Sequence, residues 1–219
     1  MVKAIVTFRT TEHHFQRLQS RCEVVLAGWG KTGICLTDSE LVIFMQDADI
    51  LLVGYETVSA EIINNAKRLQ LIGCARSNPI NVDIASASLC GIPVLHTPGR
   101  NAIAAAEFTI GLSLAEARHI ARGYLELKTG AYLGGHENQG DQHGINDDVI
   151  WNLDGKSPYK DFRGVELSKR TLGLIGLGNV GAKVAHLAQA FGMRVIAHSP
   201  FISVDKANSM GVELVSLEQ

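Results

Sequence analysis

Apolar positions in the first hundred residues fall into short runs separated by amphipathic stretches. Ala4 to Phe8, Val24 to Ala27, Ile50 to Val53, Leu69 to Ala75 and Pro93 to His96 have strand length, and helical patterns sit between most of them. Strands joined by helix-length connections are crossovers between parallel strands, and helices on both faces are the usual cover. The pattern predicts a doubly wound α/β domain.

After Thr97-Pro-Gly-Arg100 the pattern changes. An alanine-rich helix is predicted from about Asn101 to Leu127, with Ile103, Ile110, Leu114 and Ile120 near helical spacing, and Pro98 and Gly99 mark a hinge before it. Residues 130–161 are polar and rich in glycine, so they read as a solvated insertion that Trp151 or Tyr159 pins to the body. Leu172 to Ile175 then reads as a buried strand. Asn179 to Phe191 follows as a helix with Val184, Leu187, Ala188 and Phe191 on one face. Met193 to Ala197 and Val212 to Val215 are the next strands, and Leu217-Glu-Gln219 looks like the opening turn of a helix.

Composition narrows the classes. The chain has 219 residues, 46% of them hydrophobic, and 20 Lys and Arg against 22 Asp and Glu, which describes an ordinary soluble protein and offers nothing to nucleic acid. No run of about eighteen apolar residues exists, and Met-Val-Lys-Ala-Ile-Val-Thr-Phe at the start is a strand pattern without the features of a signal peptide. A cytoplasmic protein with no membrane partner is expected. Cys22, Cys35, Cys74 and Cys90 lack CxxC spacing and lie in or beside apolar segments, so they are expected to be reduced and packed as small hydrophobes. His136, Glu137, Asp141, His143, Asp147 and Asp148 crowd together, but their spacing fits no metal template and no metal site is expected.

The strongest chemical signal is Thr171-Leu-Gly-Leu-Ile-Gly-Leu-Gly-Asn-Val-Gly181. Gly176 permits the tight turn after the strand. Gly178 leaves a pyrophosphate unobstructed, and Gly181 lets the helix pack closely on the strand. Backbone N–H groups at the start of that helix point toward an anion. A glycine-rich turn alone can bind nothing; with a strand before, a helix after and a second strand beyond, it predicts dinucleotide binding.

Several segments, in order, resemble the D-isomer-specific 2-hydroxyacid dehydrogenase family. Leu69-Gln-Leu-Ile-Gly-Cys-Ala-Arg-Ser-Asn-Pro-Ile-Asn-Val-Asp83 resembles its substrate loop, and Gly91-Ile-Pro-Val-Leu-His-Thr-Pro-Gly99 the strand entering its hinge. Asn101-Ala-Ile-Ala-Ala-Ala-Glu-Phe-Thr109 resembles the start of its interdomain helix, and Phe162-Arg-Gly-Val-Glu-Leu167 the phrase before its cofactor turn. The resemblance implies a flavodoxin-like substrate domain over 1–100. An incomplete Rossmann dinucleotide-binding domain follows over 101–219. It implies NAD or NADP as cofactor, a small 2-hydroxy or 2-oxo carboxylic acid as substrate, and a homodimer.

Site residues follow by position. Arg76, Ser77 and Asn78 replace a Gly-x-Gly turn whose amides hold the substrate carboxylate, and Ser77 also matches a cofactor contact. Arg76 either meets a second carboxylate or a phosphate, or points outward or ties the loop to a neighbouring carboxylate. Asn179 and Val180 occupy the positions whose amides face the pyrophosphate. Ser199 stands where an acidic residue commonly binds the adenosine ribose; without that carboxylate, His198, Ser199 and Lys206 are candidates to receive a 2′-phosphate, so tolerance of NADP is expected, although no arginine follows the strand to grip that phosphate and His198 reads equally as a surface residue. Glu107 is either a cofactor or domain contact or a plain helix-face carboxylate. His96 reads as a core histidine, and His13 and His14 as helix surface.

The family's arginine, its acidic residue and its proton-transferring histidine match nothing in this chain, and they are expected downstream of Gln219. The sequence is therefore expected to be a truncated portion of such an enzyme. A noncatalytic NAD(P)-binding module and an inactive gene product are the alternatives.

Overall fold

The computed structural model describes residues 1–132 and 157–218. Two compact units divide the chain, Met1–Arg100 and Asn101–Gln219.

The first unit runs β1 (Lys3–Val6), α1 (Glu12–Gln19), β2 (Glu23–Leu26), α2 (Gly28–Thr32), α3 (Asp38–Met45), β3 (Ile50–Val53), α4 (Ala60–Asn65), β4 (Leu71–Cys74), α5 (Ile84–Leu89) and β5 (Val94–His96). All strands are parallel, in the order β2-β1-β3-β4-β5, with Ile5 opposite both Val25 and Leu51. The apolar runs become these strands, trimmed where the chain leaves the ladder at their carboxyl ends. Ile5, Leu41, Leu51, Val53, Ile62 and Ile72 lie in one buried cluster between sheet and helices. Helix starts are set by side chains: Thr11 and Asp83 accept from the backbone N–H groups of His14 and Ser86, and Thr37 and Glu40 form a reciprocal capping box.

Asp49 locks the amino edge of this sheet. It is buried, accepts from the Lys3 backbone N–H at 2.8 Å, and takes Arg68 Nη2 on both oxygens at 3.0 Å and Arg68 Nε on one at 3.2 Å. The Lys3 N–H first, then Arg68, hold its carboxyl below the usual carboxylate range.

The second unit contains α6 (Ala102–Ala117), α7 (Ile120–Lys128), α8 (Pro158–Asp161), β6 (Thr171–Ile175), α9 (Asn179–Ala190), β7 (Arg194–His198), α10 (Val204–Ser209) and β8 (Glu213–Leu214). Its strands are parallel, in the order β6-β7-β8. Ala106 and Ile110 of α6 share a core with Val184, Ala185 and Ala188 of α9 and with Val195, Ala197, Ala207 and Val212.

Several expectations are corrected. The helix predicted from 101 to 127 is two helices, because His119 takes a left-handed conformation (φ 52°). The Ala117 carbonyl accepts the Val165 N–H at 2.8 Å, and a side chain at Gly164 would run into that carbonyl, so a distant segment docks onto the break. The core face of α6 is Ala102, Ala106 and Ile110; Ile103 and Ile120 are exposed. A helix apolar on all sides gives periodicity little to choose between. β6 alternates between half-buried and exposed residues and is not fully buried, because among the described residues it pairs only with β7. Phe191 caps the end of α9 and is exposed, and Leu217 and Glu218 form only a turn.

Of the polar stretch 130–161, His136, Glu137, Asp141, His143, Asp147, Asp148 and Trp151 lie outside the described residues. Tyr159 is exposed, and the buried aromatic is Tyr132, whose hydroxyl donates to Asp161 at 2.7 Å and whose ring meets Phe162 edge-on at 5.2 Å. Burial first, then the Asp161 carboxylate, pushes the Tyr132 hydroxyl up to about 12. Cys22 and Cys74 are buried free thiols, whereas Cys35, in the loop between α2 and α3, and Cys90, at the end of α5, are exposed and do not pack as core. Among the described residues no helix is long and apolar enough to cross a membrane, and no three His, Cys, Asp or Glu side chains gather as a metal would need.

Candidate dinucleotide and substrate sites

The glycine turn has the geometry its sequence implies. Gly176 leaves β6 with φ +93°, a conformation that side chains rarely adopt, and its N–H donates to the His198 carbonyl at 2.8 Å. Leu177 is buried in the core and anchors the turn. A Cβ at Gly178 would meet nothing within 4 Å, so the space above it is open to a ligand, while one at Gly181 would overlap the Gly176 carbonyl. Close packing and open access are thus divided between these two glycines.

Gly178 is the N-cap of α9 and offers no side-chain acceptor. The first N–H groups of a helix have no partner within it, and the aligned peptide dipoles place roughly half a positive charge there. The amides of Asn179 and Val180 stand in that first turn. This arrangement fits a pyrophosphate: bare backbone can approach it, and uncapped donors await its oxygens.

At the end of β7, His198 is half-buried with Nδ1 3.3 Å from the Val215 carbonyl, which ties β7 to the segment after β8. Ser199 follows, half-buried, and no carboxylate stands at this strand end. Lys206 is exposed on α10. Glu107 is exposed on α6.

In the first unit, Arg76, Ser77 and Asn78 follow β4. The Arg76 carbonyl accepts from the Thr97 N–H at 3.0 Å and hydroxyl at 3.2 Å, and the Ser77 carbonyl lies 2.9 Å from His96 Nδ1. His96 is therefore an exposed strand-end residue that fixes the loop, not a core histidine; β5 is an edge strand whose last residues stand at the rim. Asn78 and His96 line an open groove of about 470 Å³. Arg76 is half-buried with its guanidinium 5.7 Å from the centre of the Tyr55 ring, so it stacks on an aromatic and makes no ion pair with a carboxylate among the described residues. Cys74, at the base of the loop, has its thiol pushed up by burial.

Sequence reading missed Glu56. This carboxylate is 2% exposed and accepts from the Thr7 hydroxyl at 2.5 Å, the Trp29 N–H at 3.1 Å and the Tyr55 N–H at 3.3 Å. It joins the loops that follow β1, β2 and β3. The signal available was a glycine followed by an aromatic after two of the strands, Gly28-Trp29 and Gly54-Tyr55.

Comparison with known proteins places this architecture. Residues 110–219, just over half the chain, match the NAD binding domain of the D-isomer specific 2-hydroxyacid dehydrogenases. A D-3-phosphoglycerate dehydrogenase of Methanocaldococcus jannaschii is 38% identical over 98% of this chain and 35% of its own length. A hydroxypyruvate reductase of Thermotoga maritima is 38% identical over 84% of this chain and 51% of its own. A solved Thermus thermophilus protein superposes with a TM-score of 0.76 at 29% identity, covering 99% of this chain and 60% of that one. The chain belongs to the D-isomer-specific 2-hydroxyacid dehydrogenase family, and its second unit carries the family's NAD-binding domain. It spans between a third and about half the length of these two relatives.

Proposed function

We propose that this chain serves an oxidoreductase that moves a hydride between NAD(P) and the C2 carbon of a small 2-hydroxy or 2-oxo acid. The observation that carries the proposal is the open, uncapped glycine turn in a unit that matches the family's NAD-binding domain. The nicotinamide supplies or receives the hydride. Gly176, Gly178 and Gly181 admit the pyrophosphate, the amides of Asn179 and Val180 hold it, and His198 and Ser199 face the adenosine ribose. Arg76, Ser77 and Asn78 receive the carboxylate end of the acid, with Ser77 also meeting cofactor. The proton of the hydroxyl needs a base, and no residue of this chain is assigned that role.

Exposed Ile103, Phe108 and Leu112 on α6 favour a homodimer formed through this helix. Sedimentation of the protein alone tests it, and a monomer at all concentrations rules it out.

The main test is cofactor binding. NADH and NADPH titrated by nicotinamide fluorescence are expected to bind the parent protein and to bind Gly178→Val at least about tenfold more weakly, with the circular dichroism unchanged. Equal binding by both proteins would remove the turn from the site.

A further inference from the structure

In the loop after β4, backbone amides are to face a carboxylate at positions where Arg76 and Asn78 stand in place of glycines. A side chain removes the backbone freedom that glycine supplies, and Pro79 biases Asn78 further toward extended conformations. The direction of the peptides in this loop therefore has to be set from outside it.

The end of β5 sets it. The Arg76 carbonyl accepts from the Thr97 N–H at 3.0 Å and hydroxyl at 3.2 Å, and the Ser77 carbonyl lies 2.9 Å from His96 Nδ1. A carbonyl only accepts, so Nδ1 carries the proton and donates. The peptide bonds of the described residues are trans, and the carbonyl and N–H of one trans peptide point in opposite directions. Holding the Ser77 carbonyl toward β5 thus turns the Asn78 N–H to the opposite side of the loop. That N–H meets no acceptor among the described residues. Farther along, Asn81 Nδ2 donates to the Glu56 carbonyl at 2.7 Å, and the Asn81 carbonyl accepts the Val58 N–H at 2.7 Å. The loop is therefore anchored to the segment after β3 as well, and between its anchors the His96 side chain orients the Ser77–Asn78 peptide.

We propose that His96 is a positioning residue for the substrate carboxylate: by holding the Ser77 carbonyl, its Nδ1–H aims the Asn78 amide at a carboxylate oxygen. The inference rests on the carboxylate-binding role given to this loop above. A hydrogen bond at the carbonyl also polarises the peptide and makes its N–H a stronger donor. His96 is exposed, so shortening its side chain opens no cavity in the core, and the loss falls on the loop. Thr97 supports the preceding peptide with two donors, one of them backbone, and depends less on its side chain.

D-glycerate titrated into the isotope-labelled protein and followed by NMR tests this. In the parent the Asn78 amide proton is expected to move downfield saturably, as a donor does on bonding to a carboxylate. His96→Ala is expected to weaken D-glycerate by about fivefold or more and to lose that shift, with amides remote from the loop unchanged. His96→Asn, whose Nδ2–H takes the place of the imidazole Nδ1–H, is expected to recover the shift and to bind within about twofold of the parent. Parent-like affinity and shift in His96→Ala, or a His96→Asn protein no better than His96→Ala, would overturn the positioning role and leave the carboxylate reading standing. A parent protein whose Asn78 amide does not respond to D-glycerate would defeat the carboxylate reading and this inference with it.

Discussion

The two units build parallel sheets from equally short strands but close them to different degrees. In the first, β1, β3 and β4 each have neighbours on both edges, and Ile5, Leu51 and Ile72 are fully buried. In the second, β7 alone has two neighbours among the described residues, and Ile175 at the end of β6 is 84% exposed. Yet Thr171-Leu-Gly-Leu-Ile175 and Ile50-Leu-Leu-Val53 look alike as apolar runs. Apolar composition records what a strand is able to bury; pairing and cover decide what it does bury.

The sharpest way to break this comparison is to shorten one side chain in each sheet. Leu51→Ala removes a fully buried side chain from a closed sheet and is expected to cost about 2 to 5 kcal/mol, while Ile175→Ala should stay within about 0.5 kcal/mol. Urea denaturation of both variants checks it. Similar costs would mean that β6 is covered in solution.

Next in size is Gly181→Ala. Its Cβ would overlap the Gly176 carbonyl, so α9 must shift from β6, at an expected cost of about 1 to 3 kcal/mol. Because the same shift moves the amides of Asn179 and Val180, thermal stability and NADH affinity should fall together. A stable variant that binds normally would show that this close packing is not what places the donors.

Cofactor choice gives a smaller effect. Ser199→Asp restores a carboxylate at the end of β7, where it accepts from ribose hydroxyls and repels a 2′-phosphate. The ratio of NADPH to NADH affinity is expected to fall by about tenfold, or about 1.4 kcal/mol. An unchanged ratio would place the ribose elsewhere.

What was legible in the sequence follows the same division. Strands and the glycine turn could be read because local pattern determines them: the turn needs positive φ at Gly176 and no side chain at Gly181, and Gly178 leaves open the space above it. The break between α6 and α7 was not legible, because the Ala117 carbonyl is claimed by Val165, a residue far along the chain. Glu56 was hidden for a related reason. Nothing in Gly54-Tyr-Glu56 tells that its carboxylate turns inward; donors from two other loops make that burial tolerable. His96 was misplaced because an apolar run does not tell an edge strand from a central one.

The smallest effect separates two helix starts. Helix α3 in the first unit is closed by its own side chains: Thr37 accepts from the Glu40 N–H, and Glu40 accepts from the Thr37 N–H at 2.9 Å. Helix α9 in the second begins at Gly178 with no side-chain cap, which leaves its first amides for an anion. Thr37→Ala is therefore expected to cost about 1 kcal/mol. The Thr37 N–H, then its hydroxyl, lower the Glu40 pKa, so folding favours the ionised carboxylate. A lowered folded-state pKa contributes stability that is present above the unfolded value and lost as pH falls through the folded one. The difference between Thr37→Ala and the parent should thus narrow on acidification below the ordinary glutamate range. Thermal melts between neutral pH and about pH 3 follow it. A gap that stayed constant in acid would mean that the hydroxyl alone makes the cap, with Glu40 contributing nothing.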